Sequence, residues 1–285
     1  MADLTAYLRQ ERLPDDYRGF VAAALRPIDE RIAAIDRRGA PLVVGVTGPQ
    51  GSGKSAAAGA LALLLRDRGL RTAVLSLDDL YLTLAERRRL AAEVHPLFAT
   101  RGAPGTHDVA LGMAVIESLG RTGDTAVPRF DKARDDRRDP AGWDVVHGPV
   151  DVILFEGWCV GGRPQDAAAL IVPVNELERT RDPDGVWRRS ANAALAGPYQ
   201  DLFATIGLQV LLRAPSFEVV LGWRFEQEHK LRERRAGGQS DAEIATFIQH
   251  YERLTRWIDA EMPGRADVVV QLGAGREVMS IELRQ

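Results

Sequence analysis

The sequence predicts an α/β fold of the P-loop NTPase type: a parallel sheet with helices on both faces, helical insertions and a lid helix. Three observations lead to this prediction. Continuous apolar runs at residues 43–47 and 149–155 are typical of strands buried on both faces. The first run leads into the glycine-rich motif Gly48-Pro-Gln-Gly-Ser-Gly-Lys-Ser55. Strong helix formers follow at residues 56–66, so the motif has the strand-loop-helix context of a P-loop.

Each residue type in the glycine-rich motif suits a loop that binds phosphate. Its three glycines allow backbone conformations that a side chain would forbid, so that loop N–H groups can point at phosphate oxygens. Lys54 supplies a positive charge for the β and γ phosphates, and the Ser55 hydroxyl can ligate Mg²⁺. A chance glycine-rich turn is the alternative that the context disfavours. The predicted nucleotide contacts in this loop are Gly48, Gln50, Gly51, Ser52, Gly53, Lys54 and Ser55.

Length and composition restrict the class of protein. The 285 residues suit one α/β domain with insertions, and 45% apolar residues can fill a sizeable core. The net charge of −3 leaves no electrostatic footprint for nucleic acid. Cys159 stands alone, so no internal disulfide can form and a reducing compartment is favoured. Without an apolar signal core or a membrane-spanning stretch, we expect a cytoplasmic protein with neither a membrane nor a nucleic-acid partner, and we favour a monomer.

Residues 1–40 are expected to form a helical segment that packs on the core, and residues 41–285 a single domain. The N-terminal segment carries an apolar stripe at helical spacing: Val21, Leu25, Ile28, Ile32 and Ile35. Docking of a partner protein is the alternative use of such a stripe.

A second predicted strand, residues 72–77, runs directly into Asp78 and Asp79. Ligands of open parallel sheets bind beyond the carboxyl ends of the strands, so these carboxylates should lie beside the mouth of the P-loop. There Asp78 could accept a proton from an attacking hydroxyl and help to hold Mg²⁺ through water. The alternative is an ordinary turn with a helix cap, a common role of aspartate.

Residues 82–148 are too polar and irregular for a core βα unit, and we predict that they form an inserted substrate-binding region. Residues 86–89 should be a solvated helix face, and a helix capped by Asp108 should end near residue 119. A turn-rich stretch at 101–108 and a basic stretch at 127–139 could bind an anion, because loops on a rigid sheet collect binding groups. Solvated loops are the alternative.

The apolar run at 149–155 ends at Glu156, which stands where a P-loop protein usually orients Mg²⁺. A carboxylate in an ordinary βα turn is the alternative. Residues 166–174 are predicted to form a short helix that runs into a short strand. A mostly helical insertion at 175–206 and a strand at 208–212 follow.

A long helix should run from residue 217 to about 235. Arg224, Glu228 and Arg232 are spaced by four and share one face. Arginines on one stripe before a glycine pair suggest a hinged lid, about residues 217–240, that closes over ATP. A surface helix with ion pairs is the alternative. A capping box at Ser240 should then begin a packed helix, and residues 268–272 should form the final strand.

The assembled order resembles the phosphoribulokinase/uridine kinase group of P-loop kinases, and within it the plant- and fungal-type D-glycerate 3-kinases. The resemblance covers about residues 41–275. The P-loop and Phe-Glu-Gly pieces mark the wider group, and the Arg-Gly…Thr-His-Asp and Pro-Arg-Phe-Asp-Lys pieces are more specific. The matching pieces are Gly48-Pro-Gln-Gly-Ser-Gly-Lys-Ser55, Asp78-Asp-Leu-Tyr-Leu-Thr83, Arg101-Gly-x-x-Gly-Thr-His-Asp108, Val127-Pro-Arg-Phe-Asp-Lys132, Ile153-Leu-Phe-Glu-Gly-Trp158, Trp223-Arg224 with Arg232, and residues 238–241.

The resemblance implies that ATP and Mg²⁺ serve to phosphorylate D-glycerate, giving 3-phosphoglycerate, with Asp78 as the general base. Two stretches depart from the family pattern, and both bear on the acceptor pocket. Residues 133–139 are shorter and more charged than we expect for the plant enzymes, and residues 175–200 match the family pattern only loosely.

Residues and resemblance together predict the remaining site residues. The predicted catalytic residues are Lys54, Asp78 and Arg232. Arg224 joins the P-loop residues around the nucleotide, and the predicted metal ligands are Ser55, Asp78 and Glu156. The predicted contacts to an anionic substrate are Asp79, Tyr81, Arg101, His107, Asp108, Arg129 and Lys132.

Other functions stay open at this stage. A kinase of the same group could use a nucleoside, a pantothenate-like acid or a sugar. A P-loop ATPase or GTPase switch is a second class, although neither Asn175 nor Asn192 is followed by the lysine of an Asn-Lys-x-Asp guanine motif. A nucleic-acid-processing ATPase is disfavoured by the acidic balance.

Overall fold

The computed structural model describes residues 4–36, 39–232 and 240–284, and the side chains of residues 230–232 lie outside that description. Within these ranges a mostly parallel six-stranded sheet carries helices on both faces, which confirms the predicted fold class. The strands are β1 (Leu42–Thr47), β2 (Thr72–Ser76), β3 (Gly123–Val127), β4 (Phe130–Asp131), β5 (Asp136–Arg137), β6 (Asp144–Gly148), β7 (Val152–Gly157), β8 (Ile206–Arg213), β9 (Val268–Leu272) and β10 (Val278–Leu283).

The helices of the described ranges lie before the first strand, between strands and in the insertions. Short 3₁₀ turns link several of them, and a π-helical turn at Val21–Leu25 joins the second helix to the third. The α-helices are α1 (Leu4–Glu11), α2 (Tyr17–Phe20), α3 (Arg26–Ala34), α4 (Lys54–Asp67), α5 (Leu84–Glu93), α6 (Val109–Leu119), α7 (Glu176–Arg181), α8 (Val186–Ala196), α9 (Pro198–Phe203), α10 (Phe217–Arg232) and α11 (Asp241–Glu261).

The main sheet has the order β10-β9-β8-β1-β7-β2, with β10 antiparallel to its neighbour and the other pairs parallel. All six residues of β1 are buried, as expected for a central strand with helices on both faces. Because β1, β7 and β2 are adjacent and parallel, their carboxyl ends meet at one edge. The fold therefore brings together the segments that follow residues 47, 157 and 76.

Residues 268–272 form the predicted strand, β9, but it is not the final one, because β10 follows and pairs with it. Strand β10 covers the sheet edge with one neighbour only. Its side chains are exposed or half-buried, so it lacks the continuous apolar pattern that marks the inner strands.

The N-terminal helices pack on the sheet and on α4. The side chains of Val21, Leu25, Ile28 and Ile32 are buried in the same apolar core as the central strands. Polar contacts add to this packing: Arg68, just beyond the end of α4, donates to the Asp29 carboxylate at 2.8 Å.

The insertion between β2 and β7 contains two helices and two small antiparallel sheets, β3–β6 and β4–β5. The expected solvated face at 86–89 needs correction, because Arg87 is fully buried. Its guanidinium donates to the carbonyls of Ala99 and Asp135 and pairs with the Asp135 carboxylate at 3.0 Å. A buried arginine with these partners joins α5 to the loops at both ends of the insertion.

The strand predicted near residue 174 is also wrong, since the structure has a 3₁₀ turn, Ala167–Leu170, and no strand between that turn and α7. Ile171 and Val172 are exposed rather than packed in a sheet. Their carbonyls accept hydrogen bonds from Arg188 and Arg253, which replace the partners a strand would supply.

At the C-terminal side, α10 is described as far as residue 232, and the predicted glycine hinge at 236–238 lies outside the described residues. Ser240 and Glu243 form the predicted capping box at the start of α11. None of the helices in the described ranges combines the length and apolarity that crossing a bilayer requires.

Candidate active site

The P-loop connects the carboxyl end of β1 to α4, which begins at Lys54. Gly51 has a φ of +77°, a conformation that favours glycine. A Cβ at this position would lie 2.7 Å from the Cβ of Trp223 on α10. Glycine is therefore required here both by the backbone angle and by the close approach of α10. The N-terminus of α4 adds a positive dipole end suited to phosphate.

Glu156, at the end of β7, lies directly opposite the start of α4. Its Oε1 accepts hydrogen bonds from the hydroxyls of Ser55 at 2.9 Å and Ser76 at 2.8 Å. Its Oε2 is buried and has no hydrogen-bond partner among the described residues. Burial raises the pKa of Glu156, and the positive charge of Lys54 partly offsets that increase.

This arrangement fits a divalent cation. A buried carboxylate oxygen without a partner is costly, and an oxygen-liganded Mg²⁺ would satisfy it. Ser55 supplies a hydroxyl beside it, and Asp78 lies just beyond the end of β2, the strand next to β7.

Asp78 follows β2 and makes two short polar contacts. One carboxylate oxygen pairs with Nζ of Lys132 at 2.7 Å, and the other accepts from the Tyr81 hydroxyl at 2.8 Å. Burial alone would raise the pKa of Asp78, but the positive charges of Lys132 and Lys54 outweigh it and hold the pKa well below its usual range. Asp78 is therefore an ionised carboxylate beside the P-loop.

The aromatic rings of Tyr81 and His107 lie next to Asp78. Their rings are stacked with centroids 4.7 Å apart, and their backbones form an isolated antiparallel bridge. Both side chains are buried. Burial lowers the pKa of His107 to about 3, more than the nearby Asp78 charge can compensate, so the imidazole is neutral at physiological pH.

Arg101 lies close enough to Tyr81 for its positive charge to act on that ring. Its guanidinium pairs with Asp135 and lies over the Phe130 ring, 5.6 Å from the centroid. Its side chain remains about one-quarter exposed. Arg101 and Lys132 therefore give the surroundings of Asp78 two positive charges.

Three other predicted substrate contacts are engaged by the protein itself. Asp79 accepts from the Arg129 guanidinium at 3.0 Å and from the N–H of Phe130 at 2.9 Å. Arg129 also pairs with Asp144 at 2.7 Å. Asp108 caps α6 through the N–H of Leu111, and its second oxygen accepts from Arg137 at 2.9 Å. Direct contact of Asp79, Arg129 or Asp108 with a substrate stays a prediction.

The lid arginines are only partly described. Arg224 pairs with Glu228 one turn away at 2.8 Å, and both side chains are largely buried. Arg224 also lies over the Phe247 ring of α11, 5.8 Å from the centroid. The side chain of Arg232 lies outside the described residues. The roles of both arginines stay predictions.

Sequence reasoning missed three residues of this region. Ser76 could have been found, since it ends β2 two positions before Asp78. Tyr199 bonds to the His107 ring at 2.6 Å and sits in an insertion without a recognisable motif. Arg276 donates to the Gly51 carbonyl at 2.7 Å and lies over the Trp223 ring, although it is 225 residues from Gly51 in the chain. No local pattern could have revealed the last two.

A P-loop, a carboxylate with two serine partners and an ionised aspartate at the adjoining strand end define a P-loop phosphotransferase. The family model described as methylmalonyl Co-A mutase-associated GTPase MeaB matches residues 26–80, the stretch that contains the P-loop and Asp78. Over 224 residues the chain is 37% identical to the uncharacterized kinase mug58 of Schizosaccharomyces pombe, which covers 75% of this chain and 79% of that protein.

Two further similar proteins have names that state their substrate. The chain is 32% identical to the chloroplastic D-glycerate 3-kinase of Arabidopsis thaliana over 74% of this chain and 46% of that protein. The structure of the D-glycerate 3-kinase from Cryptococcus neoformans has a TM-score of 0.75 at 28% identity, covering 92% of this chain and 99% of that one. The chain thus belongs to the family of P-loop kinases that includes the mug58 kinase, and it is an ATP-dependent kinase that resembles the D-glycerate 3-kinases.

Proposed function

We propose that this kinase transfers the γ-phosphoryl group of ATP to a hydroxyl of D-glycerate, giving 3-phosphoglycerate and ADP. The relatives named D-glycerate 3-kinase support the choice of acceptor. The observation that carries the mechanism is the ionised Asp78 carboxylate at the end of β2, bonded to Lys132 and Tyr81 beside the P-loop. The acceptor hydroxyl would bind at this carboxylate.

The nucleotide would be held by the P-loop, with backbone N–H groups and Lys54 on the phosphate oxygens. Ser55 and Glu156 would hold Mg²⁺, with Asp78 close enough to contact it through water. The cation supplies charge neutralisation for the transferring phosphoryl group. In this reaction positioning and electrostatic stabilisation account for most of the rate, so the rigid placement of these groups at three strand ends is the main contribution of the fold.

Asp78 would orient the acceptor hydroxyl and receive its proton. Each oxygen of an ionised carboxylate has a further lone pair beyond the contacts to Lys132 and Tyr81. The hydroxyl oxygen forms the new bond to phosphorus as the bond from the γ-phosphorus to the bridging oxygen breaks and ADP leaves. A carboxylate of low pKa can fill this role because phosphoryl transfer proceeds through a loose transition state with little demand for early proton removal.

The acceptor's carboxylate would be attracted by Lys132, which pairs with Asp78, and by Arg101, whose charge acts on the neighbouring Tyr81. Arg129, held by Asp79 and Asp144, would keep the Phe130 segment in place behind them. Arg224 and Arg232 on the proposed lid would steady the phosphoryl charge after closure. The acceptor is therefore proposed to be a small anionic molecule.

The Asp78→Asn variant tests the role of the carboxylate. We expect kcat to fall by two orders of magnitude or more, roughly the value of a positioned general base, while ATP binding measured by calorimetry is retained. Asp139→Asn, which removes the charge of an exposed carboxylate in the same insertion, should keep wild-type turnover. Near-normal turnover in Asp78→Asn would remove Asp78 from the role of base.

A further inference from the structure

The His107 ring is connected to the backbone through Tyr199. The Tyr199 hydroxyl accepts a hydrogen bond from the N–H of Gly105 at 2.9 Å and bonds to Nδ1 of His107 at 2.6 Å. Gly105 has a φ of +98°, a conformation that favours glycine and that directs this N–H to the hydroxyl. Gly105 and His107 lie in the insertion between β2 and β7, and Tyr199 reaches them from α9.

The position of each proton in this chain follows from what each group can donate. The Gly105 N–H can only donate, so the Tyr199 oxygen accepts from it. Burial raises the pKa of Tyr199, which keeps its hydroxyl protonated. Nδ1 of His107 is the acceptor within hydrogen-bond distance of that hydroxyl, so Nδ1 carries no proton. A neutral imidazole then carries its proton on Nε2.

The resulting Nε2–H group is buried and finds no acceptor among the described residues. Leaving a buried donor without a partner is costly, so this position requires an oxygen or nitrogen lone pair from another molecule. The ring is stacked on Tyr81, whose hydroxyl donates to Asp78. The unused donor therefore lies one aromatic ring away from the carboxylate proposed to receive the acceptor hydroxyl.

We propose that Tyr199 is a positioning residue that fixes His107 as a neutral Nε2–H donor, and that this donor binds an oxygen of the phosphoryl acceptor beside Asp78. The inference rests on the proposed function and adds one specificity contact to it. A neutral donor recognises an oxygen lone pair, and since it carries no positive charge it leaves charge recognition to Lys132 and Arg101. The burial of Nε2 means that the recognised oxygen must be shielded from water when it binds.

The tautomer can be observed directly by NMR on the full chain labelled with ¹⁵N-histidine. Among the five histidines, the His107 signals are those that disappear in His107→Gln. In the wild-type protein without ligands we expect an unprotonated Nδ1 and a protonated Nε2, unchanged from pH 6 to 8. Adding D-glycerate without ATP should shift the Nε2–H proton signal.

The Tyr199→Phe variant tests the positioning role. Without the hydroxyl, the His107 signals should move towards an average of both tautomers. The KM for D-glycerate should rise by about tenfold, the loss of one good hydrogen bond, while the KM for ATP changes by less than about twofold. Tyr17→Phe removes another buried tyrosine hydroxyl, in the N-terminal segment, and should leave the His107 signals and both KM values unchanged.

Three results would overturn the inference. They are a protonated Nδ1 in the wild-type protein, a Tyr199→Phe variant with the wild-type His107 pattern and KM, and an unshifted Nε2–H signal at a D-glycerate concentration that supports turnover once ATP is added. The spectrum without ligands needs no acceptor and no variant of Tyr199, so it decides the tautomer even if Tyr199→Phe does not fold. Failure of the wild-type protein to phosphorylate D-glycerate would instead refute the proposed function.

Discussion

Two carboxylates at neighbouring strand ends, Asp78 and Glu156, have opposite electrostatic surroundings. Lys132 and Lys54 lower the pKa of Asp78 despite its burial, whereas burial raises the pKa of Glu156. Carboxylates with such different environments commonly have different roles at an active site. In the proposed function Asp78 orients a hydroxyl, and Glu156 has a buried oxygen, without a hydrogen-bond partner among the described residues, that a cation would coordinate.

The lowered pKa of His107 also makes stability depend on pH. The unfolded chain binds a proton near its ordinary pKa of 6.5, while the folded chain resists protonation down to about 3. Stability from this residue is therefore fully present above pH 6.5 and is lost as pH falls from 6.5 towards 3. Between pH 7 and 5 we expect a loss of about 2 kcal/mol in the free energy of unfolding from this group.

Urea unfolding of the wild-type protein and His107→Gln at both pH values measures this effect. The variant should be less stable at pH 7 but should lose less stability on acidification than the wild-type protein. The difference between the two slopes isolates His107, because the other titrating groups are common to both proteins. Parallel slopes would mean that His107 is not buried as a neutral ring.

At the scale of elements, the sequence predicted the residues at the strand ends but not the contacts within the insertion. β1, β2 and β7 are apolar strands that end in the P-loop, Asp78 and Glu156, so local pattern alone placed those groups together. The partner of Arg129 depends instead on the pairing of β3 with β6, which sets Val127 opposite Asp144. These short strands are largely exposed and carry charges, so their composition does not predict which residues of β3 and β6 pair.

Arg87 connects separate segments of the insertion between β2 and β7. It joins α5 to Ala99, near Arg101, and to Asp135, which also pairs with Arg101. The loops that carry the predicted acceptor contacts therefore share one buried guanidinium. Within a run of charged residues at 86–89 the sequence could not show which side chain turns inward.

We expect Arg87→Ala to lower the free energy of unfolding by about 3 kcal/mol, because it leaves the carbonyls and carboxylate around it without their cationic donor. The kcat/KM for D-glycerate should fall, while nucleotide affinity, which depends on the P-loop, should stay near that of the wild-type protein. Arg88→Ala, at the exposed neighbouring position on α5, provides the matched control. Equal effects of the two substitutions on stability and on the acceptor would contradict this role.

At the scale of the whole molecule, the N-terminal helices and the sheet share one apolar core. Ile28 and Ile32 belong to the same buried group as the β1 and β7 side chains. The helical spacing of the stripe indicated which residues point inward, but it could not indicate that the stripe lies against α4. We infer that residues 1–40 stabilise the element that carries the P-loop and unfold together with it.

Ile28→Ala tests this inference by removing buried methyl groups. We expect a loss of about 2–5 kcal/mol in a single cooperative unfolding transition, monitored both by circular dichroism and by release of bound nucleotide. Glu30→Ala, at an exposed position two residues away in α3, should change stability by less than about 0.5 kcal/mol. A separate early transition of the N-terminal segment would show that it is not part of the same core.

The acceptor panel tests the central claim most directly. The full chain is incubated with Mg·ATP and D-glycerate, L-glycerate, uridine, pantothenate or no acceptor, ADP release is followed, and the product is identified by ³¹P NMR. The account predicts turnover with D-glycerate alone and 3-phosphoglycerate as the product. Turnover with a different acceptor, or ADP release that does not depend on any acceptor, would contradict it.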